Sequence, residues 1–77
     1  MDTASEAEMA QDVVDTARAK IKDIRQARTR AGAARYHGQA DGLLEFAQVW
    51  SIISPDLSRM LRMDALDAYA AWVEANR

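Results

Sequence analysis

The chain has 77 residues, a formal net charge of −2 and no cysteine. This length allows one domain, and so short a chain buries only about 60% of its unfolded surface, which makes it marginally stable without a staple or a partner. The lack of cysteine excludes a disulfide or a cysteine-based metal centre as that staple. Sixteen alanines, against three glycines and one proline, predict an all-α fold.

The N-terminus is acidic and has no apolar run behind a basic start, so we predict no signal peptide and a cytoplasmic protein. No stretch approaches the roughly 20 apolar residues that a membrane-spanning helix needs. We therefore expect no membrane partner.

The first predicted helix begins near the N-terminus, where Thr3 and Glu6 have the spacing of a capping box and Ser5 and Glu8 offer an overlapping alternative. Apolar residues then recur at spacings of four and three, which is typical of a narrow heptad stripe. The stripe consists of Ala10, Val14, Ala17, Ile21 and Ile24. It covers only about two heptads, and its side chains are too small to hold much structure together alone.

A second apolar stripe begins at Ala33 and is offset from the first by roughly 80° around a straight helix. Its members are Ala33, Tyr36, Ala40, Leu43, Ala47 and Trp50, with Leu44, Phe46 and Ile53 beside it. Gly32 lies where the phase changes. Either the helix is continuous and presents different faces to different neighbours, or it breaks near Gly32. We favour continuity, because no proline forces a break and alanines surround the glycine.

The clearest punctuation is the run Ser54, Pro55 and Asp56, which suits the N-cap and first turn of a helix ending near residue 75. So short a connection makes the flanking helices antiparallel neighbours. The predicted fold is a helical hairpin with a long first helix over about 4–53 and a second over about 55–75. The alternative is a three-helix bundle with a break near Gly32. Residues 1–77 form one domain, with an N-terminal arm over 4–32 and a hairpin over 33–76.

In the hairpin arrangement the last helix covers the second stripe and leaves the first stripe exposed. We therefore predict a homo-oligomer, with an antiparallel dimer favoured, whose interface is Ala10, Val14, Ala17, Ile21 and Ile24. Charge supports this orientation. Residues 1–16 carry five acids and no base, whereas residues 17–40 carry seven bases and one acid, so antiparallel pairing sets opposite charges side by side.

No motif in the sequence predicts catalysis, a cofactor or a metal site. His37 is the only histidine, and the nearest acid in helical register is Asp41. No serine or threonine is placed as a nucleophile beside this pair, and one histidine with scattered carboxylates does not form a zinc site. We predict that the protein is not an enzyme.

The strongest functional candidate in the sequence is a basic segment from position 18 to position 35. Its candidate binding residues are Arg18, Lys22, Arg25, Arg28, Arg30 and Arg35. We expect a small protein–protein interaction module, such as an adaptor, regulator or inhibitor, that acts through its helix surfaces. The alternative is a nucleic-acid-binding regulator that uses the basic segment, because a basic helix can track phosphates.

Overall fold

The computed structural model describes residues 3–77, with side chains from Ser5 onward, as three α-helices. They are α1 (Thr3–Arg25), α2 (Arg30–Val49) and α3 (Pro55–Ala75), and the described residues contain no β-strand. The prediction of an all-α fold is therefore confirmed. The cap predicted at Thr3 lies outside the side chains that the structure describes.

The continuous first helix over 4–53 is not observed, and the chain adopts the three-helix alternative. α1 ends at Arg25, and α2 begins only at Arg30, so the break lies a few residues before Gly32. Thr29 is the N-cap of α2, and its side-chain oxygen accepts a hydrogen bond from the Gly32 backbone N–H at 3.0 Å. The phase change between the two stripes marks this break, because folding back lets both stripes face one core.

The three helices lie antiparallel to their neighbours in the chain. Between α2 and α3, the Ser58 hydroxyl donates to the Leu44 carbonyl oxygen at 3.2 Å, and His37 stacks on Tyr69 nearer the other end. Between α1 and α2, the Lys20 ammonium lies 5.8 Å from the centre of the Tyr36 ring. The N-terminal half of α1 therefore lies beside the C-terminal half of α2, and the predicted α2–α3 hairpin is present.

The core is built largely from alanines, which lets the helices approach closely. One cluster, nearer the α1–α2 turn, contains the buried residues Ile21, Ile24, Ala33, Ala40, Ala65 and Ala68. The second cluster contains Ala17, Leu44, Ala47, Ile53 and Leu61. Among the residues whose side chains the structure describes, three large apolar side chains (Ile24, Leu44 and Leu61) are fully buried, so the core is thin.

The stripe predicted as an oligomer interface lies inside the single chain. Ala17, Ile21 and Ile24 are buried in the two core clusters, and Ala10 and Val14 pack against the second cluster. The stripe is covered from solvent, as its apolar residues require, but α2 and α3 of the same molecule cover it. This corrects the assignment of these residues to an intermolecular seam; the oligomeric state itself stays a prediction.

Candidate functional site

The last turn of α2 and the residue that caps it carry three large apolar side chains that point away from the core. Ala40, Leu44 and Ala47 face inward at helical spacing, so positions 46, 49 and 50 fall on the other sides of the same helix. Phe46, Val49 and Trp50 form what we call the α2 apolar patch. The Phe46 and Trp50 rings are one turn apart, with centroids 6.0 Å apart and planes tilted by 44°.

The α2 apolar patch is exposed to an unusual degree for such residues. Phe46 is 57% exposed, Trp50 68% and Val49 74%. We expected Phe46 and Trp50 to be in or beside the core, and this is wrong. α1 and α3 pack on the line of α2 that contains Ala40, Leu44 and Ala47, and helical register places positions 46 and 50 to one side of that line.

Further large apolar side chains are exposed on the other two helices. These are Met9 on α1 and Met60, Met63 and Leu66 on α3. Met63 and Leu66 border the groove between α2 and α3, whereas Phe46 and Trp50 do not. The exposed apolar surface is thus divided between separate faces, and the face on α2 carries the two aromatic rings.

Two glycines continue the face of the α2 apolar patch toward the start of the helix. Gly38 and Gly42 precede Phe46 at intervals of four residues, so they lie along one side of α2. Both are exposed, and a Cβ added at either position would meet nothing within 4 Å. We call Gly38 and Gly42 the glycine notch, because they leave a bare stretch of backbone on the surface.

The predicted basic residues are not gathered into one surface. Arg18 and Arg25 lie beside Asp64 in a cavity between α1 and α3, and Lys22 is exposed nearby on α1. Arg28 in the turn between α1 and α2 and Arg30 at the start of α2 line a cavity of about 370 Å³ with Arg77 and Trp72. Arg35 is exposed on α2. The six residues therefore occupy three separate parts of the bundle.

Folding nevertheless separates charge along the length of the molecule. The end that contains the α2 apolar patch, formed by residues 5–14 and 41–62, carries six acidic and two basic side chains. We call it the acidic end. The remaining described residues, 15–40 and 63–77, carry eight basic and five acidic side chains. The acid–base–acid order of the sequence becomes a molecule with two unlike ends.

The groove between α2 and α3 holds the residues of the weak catalytic candidate. Arg62 donates from Nε to Asp41 Oδ1 at 2.8 Å and from Nη2 to Oδ2 at 3.4 Å. This hydrogen bond, together with the charges of Asp41 and Glu45, raises the pKa of the Arg62 guanidinium above its usual value. Asp41 is thus engaged by Arg62, while the His37 ring stacks on Tyr69 at 5.4 Å. The two side chains serve helix packing in this arrangement.

Comparison with known proteins adds no relative. No protein-family model, curated protein or solved structure matches the chain. Among the described residues, no group of three or more histidine or acidic side chains is placed to hold a metal ion. None of the described helices is long and apolar enough to cross a membrane.

Proposed function

We propose that the protein is a small non-enzymatic protein–protein interaction module that binds its partner through the α2 apolar patch. The observation that carries the proposal is the exposure of Phe46, Val49 and Trp50 in a chain that buries alanines instead. Grouped apolar surface of this kind marks interaction sites, and tryptophan is among the residues that most often dominate binding energy.

The energy available at this patch is that of an anchor within a larger interface. Full burial of a large apolar side chain contributes about 1.5–3 kcal/mol, and these three side chains are already partly covered. Together they supply on the order of 3–5 kcal/mol, whereas a micromolar complex requires about 8 kcal/mol. The partner must therefore contact more of α2 or α1 than the patch alone.

Photo-crosslinking tests this proposal directly. We replace Trp50 with benzoylphenylalanine in the cells that produce the protein and identify adducts by mass spectrometry. The matched control carries the same group at Ala70, which is exposed on α3. We expect one protein to be captured from position 50 and not from position 70. Equal capture at both positions, or none at either, would contradict the proposal.

Binding to the purified partner then measures the contribution of the patch. Phe46→Ala should weaken binding at least tenfold, which corresponds to about 1.4 kcal/mol. Met63→Ala is the matched control, because Met63 is similarly exposed at 56% but lies on α3; we expect a change below twofold. A regulatory or inhibitory role and a cytoplasmic setting stay predictions from the sequence.

A nucleic-acid-binding regulator is the second candidate, and the excess of basic residues outside the acidic end favours it. Arg28, Arg30 and Arg77 border one cavity there, although Arg18, Lys22 and Arg25 lie on a different edge. Retardation of DNA or RNA at low salt, lost in the triple variant of Arg18, Lys22 and Arg25 to glutamate, would support it. The interaction-module proposal predicts no retardation.

A further inference from the structure

We infer that the α2 apolar patch and the glycine notch together receive a cationic amphipathic α-helix of another protein. This inference rests on the proposed function and names the chemistry of the partner. It depends on the shape of the outer face of α2 and on the charge around it.

The shape of the face fits a helix. Gly38 and Gly42 lie in line with Phe46, and residues 38–49 span about 16 Å at 1.5 Å per residue, or three turns. Small residues let two helix backbones approach closely, while large neighbours pack into the spaces between side chains. A helix laid along this line would place side chains over the glycine notch and pack against Phe46 and Val49.

The glycine notch has no role inside the single chain. Neither Gly38 nor Gly42 has a positive φ, and each leaves open space where a Cβ would stand. Glycine weakens an exposed helix interior relative to alanine. The close approach of a helix from another molecule explains why both positions are glycine and why the aromatic rings that follow them are exposed.

The charge around the patch selects a cationic partner. Of the two basic residues at the acidic end, Arg59 pairs with Asp56 and Arg62 pairs with Asp41. Glu45 is exposed on α2 beside Phe46 and belongs to none of the ion pairs found among the described residues, and Glu8 and Asp12 are exposed on α1 at the same end of the molecule. Arg35, the exposed base on this side of α2, lies three positions before Gly38 and so outside residues 38–49. Lysine or arginine beside the apolar stripe of an incoming helix would therefore meet Glu45.

The same charges argue against a second copy of this chain as the occupant. A two-fold contact places the same surface of both molecules together. At this patch it would bring two acidic ends against each other, and like charges across an interface oppose association. A helix from a different protein is the occupant that the charge distribution favours.

A designed peptide tests the inference without the natural partner. The probe is a 14-residue peptide of leucine and lysine with the leucines on one helical face, and the matched peptide has glutamate in place of each lysine. Binding to the full-length, isotope-labelled protein is followed through its amide chemical shifts. We expect the lysine peptide to bind with shifts centred on residues 38–50, and the glutamate peptide not to bind.

Two variants locate the binding site. Phe46→Ala should weaken binding of the lysine peptide at least tenfold, and Met63→Ala less than twofold. The double variant Gly38→Leu, Gly42→Leu fills the glycine notch and should also weaken binding at least tenfold. Because both glycines are exposed in a helix, these changes should leave the circular dichroism spectrum and thermal midpoint intact or raised, which separates a blocked site from an unfolded one.

Several results would overturn the inference. They are unchanged binding to the double leucine variant, shifts centred on α3, equal binding of the two peptides, or a free protein that is dimeric until Phe46 is removed. The crosslinked partner separates this inference from the proposed function. A partner captured at position 50 through an acidic or non-helical segment would sustain the interaction module and refute the cationic helix, whereas absence of any partner would refute the module itself.

Discussion

The two turns of the bundle both reverse the direction of the chain, but they are stabilised by different contacts. The α2–α3 turn, residues 50–54, follows a cluster of strong local preferences in the sequence. The α1–α2 turn, residues 26–29, contains no glycine or proline and depends on a side chain from the far end of the chain. The difference shows which part of a small bundle its local sequence specifies and which part is held by packing.

The α2–α3 turn is stabilised within itself. Ser51 adopts φ +58°, and the backbone N–H of Ile52 bonds to the Ala47 carbonyl at 2.8 Å, as in a Schellman motif. Ser54 then caps α3 by accepting from the Leu57 N–H at 3.1 Å, and Pro55 occupies the first turn. Each of these contacts joins residues no more than five positions apart.

The α1–α2 turn adds a long-range contact to its local cap. The Trp72 indole Nε1–H donates to the Ala27 carbonyl oxygen at 2.8 Å, across 45 positions of sequence. Ala27 and Trp72 both pack against the first core cluster. Without α3 in place, this turn would be held by the Thr29 cap and by the packing of α1 on α2.

Loss of Trp72 should have the largest effect and should act at the α1–α2 turn. Trp72→Ala removes a partly buried ring and leaves a carbonyl without its donor, so we expect the free energy of unfolding to fall by about 3 kcal/mol. Trp50→Ala is the matched control on the surface and should change it by less than about 0.5 kcal/mol. Denaturant unfolding measures both free energies. Equal decreases for the two variants would contradict the view that a long-range contact from Trp72 stabilises the α1–α2 turn.

Removing either helix cap should lower the free energy of unfolding by a similar amount, but only one of the two losses should depend on Trp72. Thr29→Ala and Ser54→Ala should each lower the free energy of unfolding by about 1 kcal/mol. Combined with Trp72→Phe, which removes only the indole donor, Thr29→Ala should be non-additive because both changes affect one turn, whereas Ser54→Ala should add independently. Additive behaviour at both turns would show that Trp72 does not hold the first.

Glycine replacements separate the first turn from the outer face of α2. Gly42→Ala should raise the free energy of unfolding by about 0.8 kcal/mol, since its Cβ enters open space. Gly32→Ala should raise the free energy of unfolding by less, because its Cβ would stand 3.1 Å from the Thr29 Oγ1 that caps the same turn. Equal increases for the two variants, measured by thermal unfolding, would mean that the Thr29 side chain moves aside without weakening its cap.

The smallest expected effect lies at Ser51 in the second turn. A non-glycine residue in the left-handed region costs about 1–2 kcal/mol, and glycine relieves this while losing more freedom on folding. Ser51→Gly should therefore raise the free energy of unfolding by about 0.5 kcal/mol. A decrease, measured by denaturant unfolding against the wild-type chain, would show that the Ser51 side chain contributes more than its backbone strain removes.

The candidate site was the part of the molecule least accessible to sequence reasoning. The register of Ala40, Leu44 and Ala47 already places Phe46 off the buried line, but a large ring beside a stripe is more often core than surface. The basic residues from Arg18 to Arg35 form a more conspicuous pattern in the sequence than the two rings do, so the sequence predicts the binding site there. Only the positions of α1 and α3 show that these bases are dispersed while the two rings share one face.

Local preferences encoded by the sequence determined the helical fold, the α2–α3 turn and the need to cover the stripe from Ala10 to Ile24. These depend on alanine content, capping residues and apolar spacing, all of which act within a few positions. Tertiary packing alone decided that this stripe is covered by the same chain, because the contact from Trp72 to Ala27 and the shared core of Ile24 and Ala33 join residues whose proximity no local pattern encodes. The exposure of Phe46 and Trp50 was decided at the same level: α1 and α3 pack on the line of α2 that contains Ala40, Leu44 and Ala47, and the two rings lie to one side of that line.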